Sequence, residues 1–484
     1  MLFRWIFFIG YLVIVYLIGY WSYKQTKGLS EFYVAGKDLG IVPLVGTFAA
    51  SFVSASSILG YVAFSYGNGW SLITIYGIGC ACGWTLLGFV SDRLRNFEAG
   101  VTSPDIYAVR YYNPKMRLWT AIVFIVWQSL FLMQQFMGVG YTIEQFLGIP
   151  YKVGLIIIGI TMVIYVTSGG MRSVVWTDVV QAVVMLTGVF IAAIAVIKLG
   201  GGLSAINASA MEIITEARPR GFMLDALGGG QFTVSHIIIE SFALAAVVCC
   251  VPFYHRMFFS ARDGKLARGT IGLATPILIL FYICLAILGV AARVMMPELE
   301  AVDRAFPSLV DKVLPPFLGT LVLTCIVAGI MSTLDSLLLA VGSMVSHDIY
   351  AGFINKKATE EQEMKVTRWA LVIVGLGGMF LSFNPPATIM EMYHIMINVV
   401  SSTLFPPLIL GLFWKRATYE GAMIGSITGF ASSWLWMSVG SKALPPAGVG
   451  IPLAIVVTIL VSYLTPEPPQ TALAPFFPSR SDKN

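Results

Sequence analysis

An all-α polytopic membrane protein is the fold class this sequence predicts, on three observations. Of its 484 residues, 57% are hydrophobic and only 11% charged, far from the composition of a soluble chain. The apolar residues gather into about thirteen runs near the length of about 20 residues that a helix needs to cross a bilayer. Lys and Arg fall between the runs, concentrated on alternate sides. The net charge of +5 is small, and no basic patch interleaved with aromatics occurs, so the expected partner is the lipid bilayer and not nucleic acid. The cysteines (Cys80, Cys82, Cys249, Cys250, Cys284, Cys325) all sit in apolar runs without zinc-ligand spacing, which reads as buried free thiols.

The first run, 4–23, has Arg4 before it and Lys24, Lys27 and Lys37 after it, with no small-residue cleavage site. It is therefore expected to stay, with its N-terminus outside, rather than act as a signal peptide. Runs at 41–65 and 71–91 follow, the former unusually poor in bulk (VGTFAASFVSASSILG, 45–60). Run 118–140 carries the uncharged polar residues Gln128, Gln134 and Gln135. Gly169-Gly170 divides 152–168 from 174–197, and Arg172 suits an inside loop. Run 232–254 contains Glu240 and ends in Pro252, which favours an interruption there. Runs 269–292, 317–346, 368–384, 388–412, 419–439 and 449–464 complete the set.

Placing the loops after odd-numbered runs inside gathers most of the 30 Lys and Arg residues there, richest at 92–117, 255–268 and 350–368. The expectation is an N-terminus outside, a cytoplasmic C-terminus and no Lys or Arg near a bilayer centre, in the plasma (cytoplasmic) membrane. Trp70, Trp119 and Trp414 read as interfacial belt, and His236 and His255 as interfacial too. The tail from Thr465, opened by Pro466, Pro468 and Pro469, is expected to be disordered.

Chemistry concentrates in 321–350. This run is apolar enough to cross a membrane, yet carries Gly329, Ser332, Thr333, Asp335 and Ser336. On a helix 329, 332 and 336 share a stripe with 335 beside it. A carboxylate inside a span is costly unless paired, which makes this patch a cation-site hypothesis for a secondary transporter. The small residues of 45–60 are its natural partner: they allow either close helix packing or an unwound helix whose carbonyls coordinate an alkali ion. Sodium, a hard cation, favours such oxygens. Asp178 with Gln181 resembles a helix-capping box, or Asp178 faces the bundle and handles a cation. Glu240 must pair, be protonated or line water, and Gln135 touches solute or bonds a neighbouring helix. Glu391 falls at a span edge. His347-Asp348 lacks a nucleophile and reads as a helix-end contact.

Together these residues resemble the sodium:solute symporter family along nearly the whole chain. SGGMRSVVWTDVVQ (168–181) is similar to the family signature of Gly-Gly, then Thr-Asp and Gln. SASSILG (54–60), YGNGW (66–70), GIPYKVGL (148–155), KVLPPF (312–317) and IMSTLDSLLL (330–339) look closest to its sodium/pantothenate branch. The resemblance implies the leucine-transporter-type fold: two inverted repeats of five spans, with one span before and two after. It divides the chain into 1–40, a first repeat 41–200, a second repeat 201–415, two further spans 416–465 and the tail 466–484.

The implied co-transported ion is sodium, held by the carbonyls of Ala50, Val53 and Gly329 and the hydroxyls of Ser332 and Thr333. A second sodium, present in some members, would use Asp178, Asp335 and Ser336 with Ser332. Solute would meet Ser57, Gln135, Glu240 and Asn398. Two departures bear on the solute: Phe52 stands where some members have a polar or acidic residue, and Pro252-Phe253 replaces a Pro-His, with the spacing to Arg256 one residue short.

The expected function is sodium-coupled symport of a small organic solute, such as the organic acid pantothenate, by alternating access. Proton coupling through Asp178, Asp335 or Glu240 is the nearest alternative. A transporter-like sensor would need an appended signalling domain, whereas the chain ends about twenty residues after the last span. An intramembrane enzyme would need a nucleophile–base or metal constellation, which the sequence lacks.

Overall fold

The computed structural model describes residues 2–25, 28–95, 97, 100–299, 301–441 and 444–477. Their regular structure is helical, with isolated bridges only at Leu39–Ala261 and Thr215–Arg218. We number the principal helices α1 (Leu2–Gln25), α2 (Ile41–Phe52), α3 (Ser56–Asn68), α4 (Ile73–Ser91), α5 (Ser103–Arg110), α6 (Pro114–Leu147), α7 (Tyr151–Leu199) and α8 (Val234–Cys250). They continue as α9 (Pro252–Ser260), α10 (Gly264–Met295), α11 (Pro316–Ser343), α12 (Glu360–Leu381), α13 (Ile389–Phe413), α14 (Tyr419–Val439), α15 (Ala447–Leu464) and α16 (Gln470–Leu473).

Local chemistry sets many of the ends. The Asn113 side chain accepts from Lys115 N ahead of Pro114, and α6 stops at Gly148 in the left-handed region (φ 68°). Capping boxes at Thr359/Gln362 and Thr388/Glu391 start α12 and α13. Glu391, at a span edge by sequence, is thus a helix cap.

Among the described residues, nine helices are long and apolar enough to cross a membrane, or up to eleven when each of two bent pairs counts as one span. The pairs are α2 with α3, bent by 52°, and α8 with α9, bent by 44°. This range is lower than the thirteen runs of the sequence, for two reasons. The 49 residues of α7 would reach roughly 70 Å, about twice a hydrocarbon core of about 30 Å, but they are interrupted at Gly170 (φ 57°, ψ −151°). The 21-residue α14 stands outside the range altogether.

The core is the inverse of a surface: α11 is buried from Val322 to Ser343, flanked by α6, α7 and α2. The large exposed side chains are apolar instead, as along α1 (Ile6, Ile9, Val13, Leu17) and α15 (Val456, Leu460, Leu464). One face of α1, with Phe8, Tyr11 and Val15, packs against the bundle.

Three expectations are corrected, and one of the two readings of Asp178 falls away. Arg256, placed in an inside loop by its charge, is 2% exposed within α9. His255 beside it is buried, held between Ser103 Oγ (2.8 Å) and the Cys249 carbonyl (2.7 Å), because α9 turns inward after the break. Asp178 caps nothing: it lies in mid-helix and Gln181 donates to Tyr11 Oη at 2.7 Å. The tail is ordered through Phe477, where α16 forms and Phe476 stacks on Phe97 at 5.3 Å. Residues 478–484 and Lys27 lie outside the described residues.

Candidate ion and solute site

The site is organised by two helix breaks facing α11. After Phe52 the chain leaves the helix at Val53 (φ −91°, ψ 96°), whose N–H still reaches the Ala50 carbonyl at 3.1 Å. Helix resumes at Ser56. No Gly or Pro causes this break; polar partners stabilise it instead. The Ser54 N–H donates to Ser57 Oγ (2.7 Å), and Gln135 Oε1 accepts the Ala55 N–H (2.7 Å). Gln134 Oε1 accepts from Ser56 Oγ at 2.7 Å. Gln135 is therefore a brace for the orphan N–H groups at the start of α3.

Gly329 lets α11 approach this break, since a Cβ there would lie 2.8 Å from Ile58 Cδ1 and 3.2 Å from Val53 Cγ1. Ser332 Oγ lies 3.0 Å from the Ala50 carbonyl and 2.7 Å from that of Gly329. Thr333 Oγ1 donates to the Val53 carbonyl at 3.2 Å. The structure thus brings Ala50, Val53, Gly329, Ser332 and Thr333 into one fully buried joint of five oxygens. One hydroxyl proton on Ser332 cannot serve two carbonyls at once, so lone pairs are spare. A cation with oxygens at about 2.4 Å spaces adjacent ligands by about 3.4 Å in an octahedral arrangement. The three contacts, at 2.7, 3.0 and 3.2 Å, are each shorter than that spacing, so the joint would have to loosen to take an ion of sodium's size. Its neutral hard-oxygen donor set suits a monovalent alkali ion.

One turn along α11, Asp335 accepts from Tyr165 Oη and, at 3.5 Å, from Thr177 Oγ1, while its Oδ1 has no partner. Asp178 is 0% exposed, and neither of its oxygens has a hydrogen bond of ordinary geometry, although the Thr47 hydroxyl on α2 faces it. Ser336 Oγ contacts Ser51 Oγ at 3.4 Å, which ties this region to α2. Arg256 enters from α9: its Nη2 donates to the Ser336 carbonyl at 2.9 Å, and its Nε and Nη1 have no partner. Sequence reasoning missed it. The available signal was its place one turn after Pro252, on the same face of a half-helix.

The two breaks meet across a cavity, where Phe52 stacks on Tyr254 with centroids 5.4 Å apart and planes 10° apart. Ser54, Ser57, Trp127, Phe131, Val251 and Tyr393 also line it. Among the described residues no charged side chain does. The free space of about 40 Å³ holds a few waters, far less than an organic solute, so the helices are contracted here.

Of the residues expected to meet solute, Ser57 lines this cavity. Gln135 stands behind it on the Ala55 amide. Glu240 and Asn398 lie elsewhere on α8 and α13. Asn398 Nδ2 donates to Glu240 Oε2 (3.1 Å), His394 Nδ1 sits 2.9 Å from Glu240 Oε1, and Asn398 Oδ1 accepts the Ala447 N–H at the start of α15 (2.9 Å).

A second polar cluster ties the ends of α5, α6, α11 and α12. Asp105 pairs with Arg117 Nη2 at 2.6 Å and with His347 Nε2 at 3.3 Å, while His347 Nδ1 faces Glu363 at 3.3 Å. Thr102 Oγ1 donates to Asp348 Oδ1 at 3.0 Å. Burial alone would raise the Asp105 carboxyl, but His347 and Arg117 override it and hold it at about 2. Asp105, His347 and Asp348 present oxygens and nitrogens close enough to hold a metal, yet Arg117 already occupies the cation position between the two acids.

Residues 32–429 match the Sodium:solute symporter family. Among solved structures, the substrate-bound outward-open state of a Na+-coupled sialic acid symporter superposes with a TM-score of 0.83 at 19% identity, covering 96% of this chain and 98% of that one. Mhp1, a nucleobase-cation-symport-1 family transporter, is similar in two states. Its closed conformation with bromovinylhydantoin bound has a TM-score of 0.56 at 13% identity, covering 92% of this chain and 97% of that one. Its inward-facing conformation gives 0.56 at 13%, with 90% and 93% covered. At these identities the likeness is one of fold.

Proposed function

This chain belongs to the sodium:solute symporter family, and we propose that it imports a small organic acid, such as pantothenate, with sodium bound at the joint of α2 and α11. It is a sodium-coupled secondary transporter and not an enzyme, moving a small solute by alternating access. The observation that carries the residue-level reading is the five-oxygen joint: Ala50, Val53 and Gly329 carbonyls with the Ser332 and Thr333 hydroxyls. A sodium ion there links the broken α2 to α11 and biases the carrier toward the solute-accepting state, so coupling is a difference in ion affinity between states.

Counting α7 as two crossings divided at Gly170, and adding α14, brings the total to about thirteen, with the N-terminus outside and the C-terminus cytoplasmic. On that count α2 to α7 form the first inverted repeat and α8 to α13 the second, with breaks at corresponding positions. Asp178, Asp335 and Ser336 form a second cation position. Ser57 contacts solute in the cavity, while Gln135, Glu240 and Asn398 shape its wall from behind.

An organic acid is favoured because the α9 half-helix begins at the cavity, and its N-terminal dipole favours a carboxylate without Lys or Arg in the lining. The similar sialic acid symporter also handles an acid. The sparsely bonded oxygens of Asp178 and Asp335 favour one rival reading, coupling to protons. Uptake of radiolabelled pantothenate and a panel of other acids, sugars and amino acids into proteoliposomes decides the matter. Accumulation of an acid driven by an inward sodium gradient at equal pH is expected. Accumulation driven by a pH gradient without sodium would overturn the sodium reading.

A further inference from the structure

Arg256 is the buried charge that nothing above explains. It projects from the α9 half-helix, is 2% exposed, and makes one hydrogen bond, through Nη2 to the Ser336 carbonyl on α11. Its Nε and Nη1 donate to nothing. The complementary deficit lies beside it. Asp335 Oδ1 accepts nothing, and Asp178 has no hydrogen bond of ordinary geometry, with only weak help from the Thr47 hydroxyl that faces it from α2. Asp335 and Asp178 are the two acids whose charge acts on the guanidinium. Arg256 is anchored on the carbonyl of Ser336, the residue after Asp335, and all three charged groups are buried, so guanidinium and acids act on one another as a single electrostatic unit.

Charge counting then sets what that unit accepts. Two carboxylates alone would call for two monovalent cations. With the guanidinium present the sum is one negative charge, which a single small cation neutralises. Arginine cannot resolve the imbalance by losing its proton, so its contribution is permanent.

We propose that Arg256 is the resident counter-cation of the Asp178–Asp335 pair, limiting that position to one exchangeable monovalent cation and holding the two acids together when that cation is absent. Arg256 is a positioning residue: it acts on the ion through the two carboxylates. Because it sits on the half-helix that also borders the solute cavity, movement of α9 carries the fixed charge with it. Ion release at the acids and solute release at the cavity therefore share one mechanical element. The proposal rests on the reading of Asp178 and Asp335 as a cation position.

Charge rescue tests it, read as the melting temperature of the purified full chain in detergent, in sodium and in choline. Arg256→Gln should lower the melting temperature in choline by about 4 °C. Its melting temperature should also rise more steeply with sodium concentration than that of the unmodified protein, because one more cation is needed. Arg256→Gln combined with Asp178→Asn, or with Asp335→Asn, restores the net charge and should recover most of the loss. Arg256→Lys should stay near the unmodified protein. A structural role through the Ser336 carbonyl predicts the opposite: both double variants would melt as low as Arg256→Gln or lower, which would overturn the proposal. Equal sodium steepness in Arg256→Gln and the unmodified protein would overturn it too. If Arg256→Gln yields no folded protein, folding of a double variant supports the proposal, and failure of both double variants refutes it. Melting is independent of transport, so absence of sodium-driven uptake would sink the functional reading while leaving a charge-rescue pattern intact.

Discussion

Removing the two hydroxyls of the α2–α11 joint is the sharpest perturbation of the sodium reading. Ser332→Ala with Thr333→Ala leaves three carbonyls in place and deletes two of the five oxygens, Ser332 Oγ at 3.0 Å from the Ala50 carbonyl and Thr333 Oγ1 at 3.2 Å from that of Val53. A hydrogen-bond-strength contact to a charged partner is worth about 1.5–3 kcal/mol. Two such ligands sum to about 3–6 kcal/mol, and each 1.4 kcal/mol is about tenfold in affinity. Part of that loss is returned, because in the ion-free joint the same hydroxyls bond the carbonyls and the double variant loses those bonds as well. A rise of about 100-fold in the sodium concentration for half-maximal uptake is therefore expected at the lower bound. The assay is initial solute uptake into proteoliposomes against external sodium, with choline keeping ionic strength constant. Sodium activation unchanged within a factor of two or so would refute the placement of the ion, whatever happened to the maximal rate.

Gly329→Ala keeps all five oxygens but puts a methyl group 3.2 Å from Val53 Cγ1 and 2.8 Å from Ile58 Cδ1. It should weaken sodium activation several-fold by spreading the joint; equal activation would mean that α11 approaches no closer than the site tolerates. Gln135→Leu leaves the buried Ala55 N–H without its acceptor, at a cost of about 1–3 kcal/mol. The purified protein should melt lower while Gln128→Leu, whose side-chain polar atoms have no partner, should cost less. Asp105→Asn removes the acid shared by Arg117 and His347. The Asp105 carboxyl is lowered from 3.8 to about 2, so its contribution is fully present above pH 3.8 and lost as pH falls through about 2. That difference is worth on the order of 2 kcal/mol at neutral pH. The variant should melt lower at pH 7, and a melting temperature equal to that of the unmodified protein would show that the cluster contributes nothing.

The breaks were legible in the sequence because their causes are local. Gly170 adopts a positive φ that few other residues tolerate, and Pro252 cannot continue α8. The run of small residues at 49–57 marked the α2 break without locating it, since the partners that stabilise it, Gln134 and Gln135, come from α6. The number of crossings was less legible, because hydropathy separates α7 into two runs where the backbone bends at one glycine. Arg256 and His255 were misplaced for a different reason. Charge in a short segment reads as a loop, whereas burial is decided by how α9 tilts after the break. His347 looked like a helix-end contact and is one, but its partner Asp105 lies 242 residues away and no spacing rule connects them. The prolines after Thr465 concealed the apolar residues Leu473 and Phe476, which dock on the bundle.

On the proposed reading, one sodium ion sits among the Ala50, Val53 and Gly329 carbonyls and the Ser332 and Thr333 hydroxyls. Density maps of the purified protein prepared in sodium and in N-methylglucamine test it most directly. A compact peak with oxygens at about 2.4 Å is expected in the sodium map and absent from the other. A joint that looks the same in both, or an ion found only between Asp178 and Asp335, would contradict it.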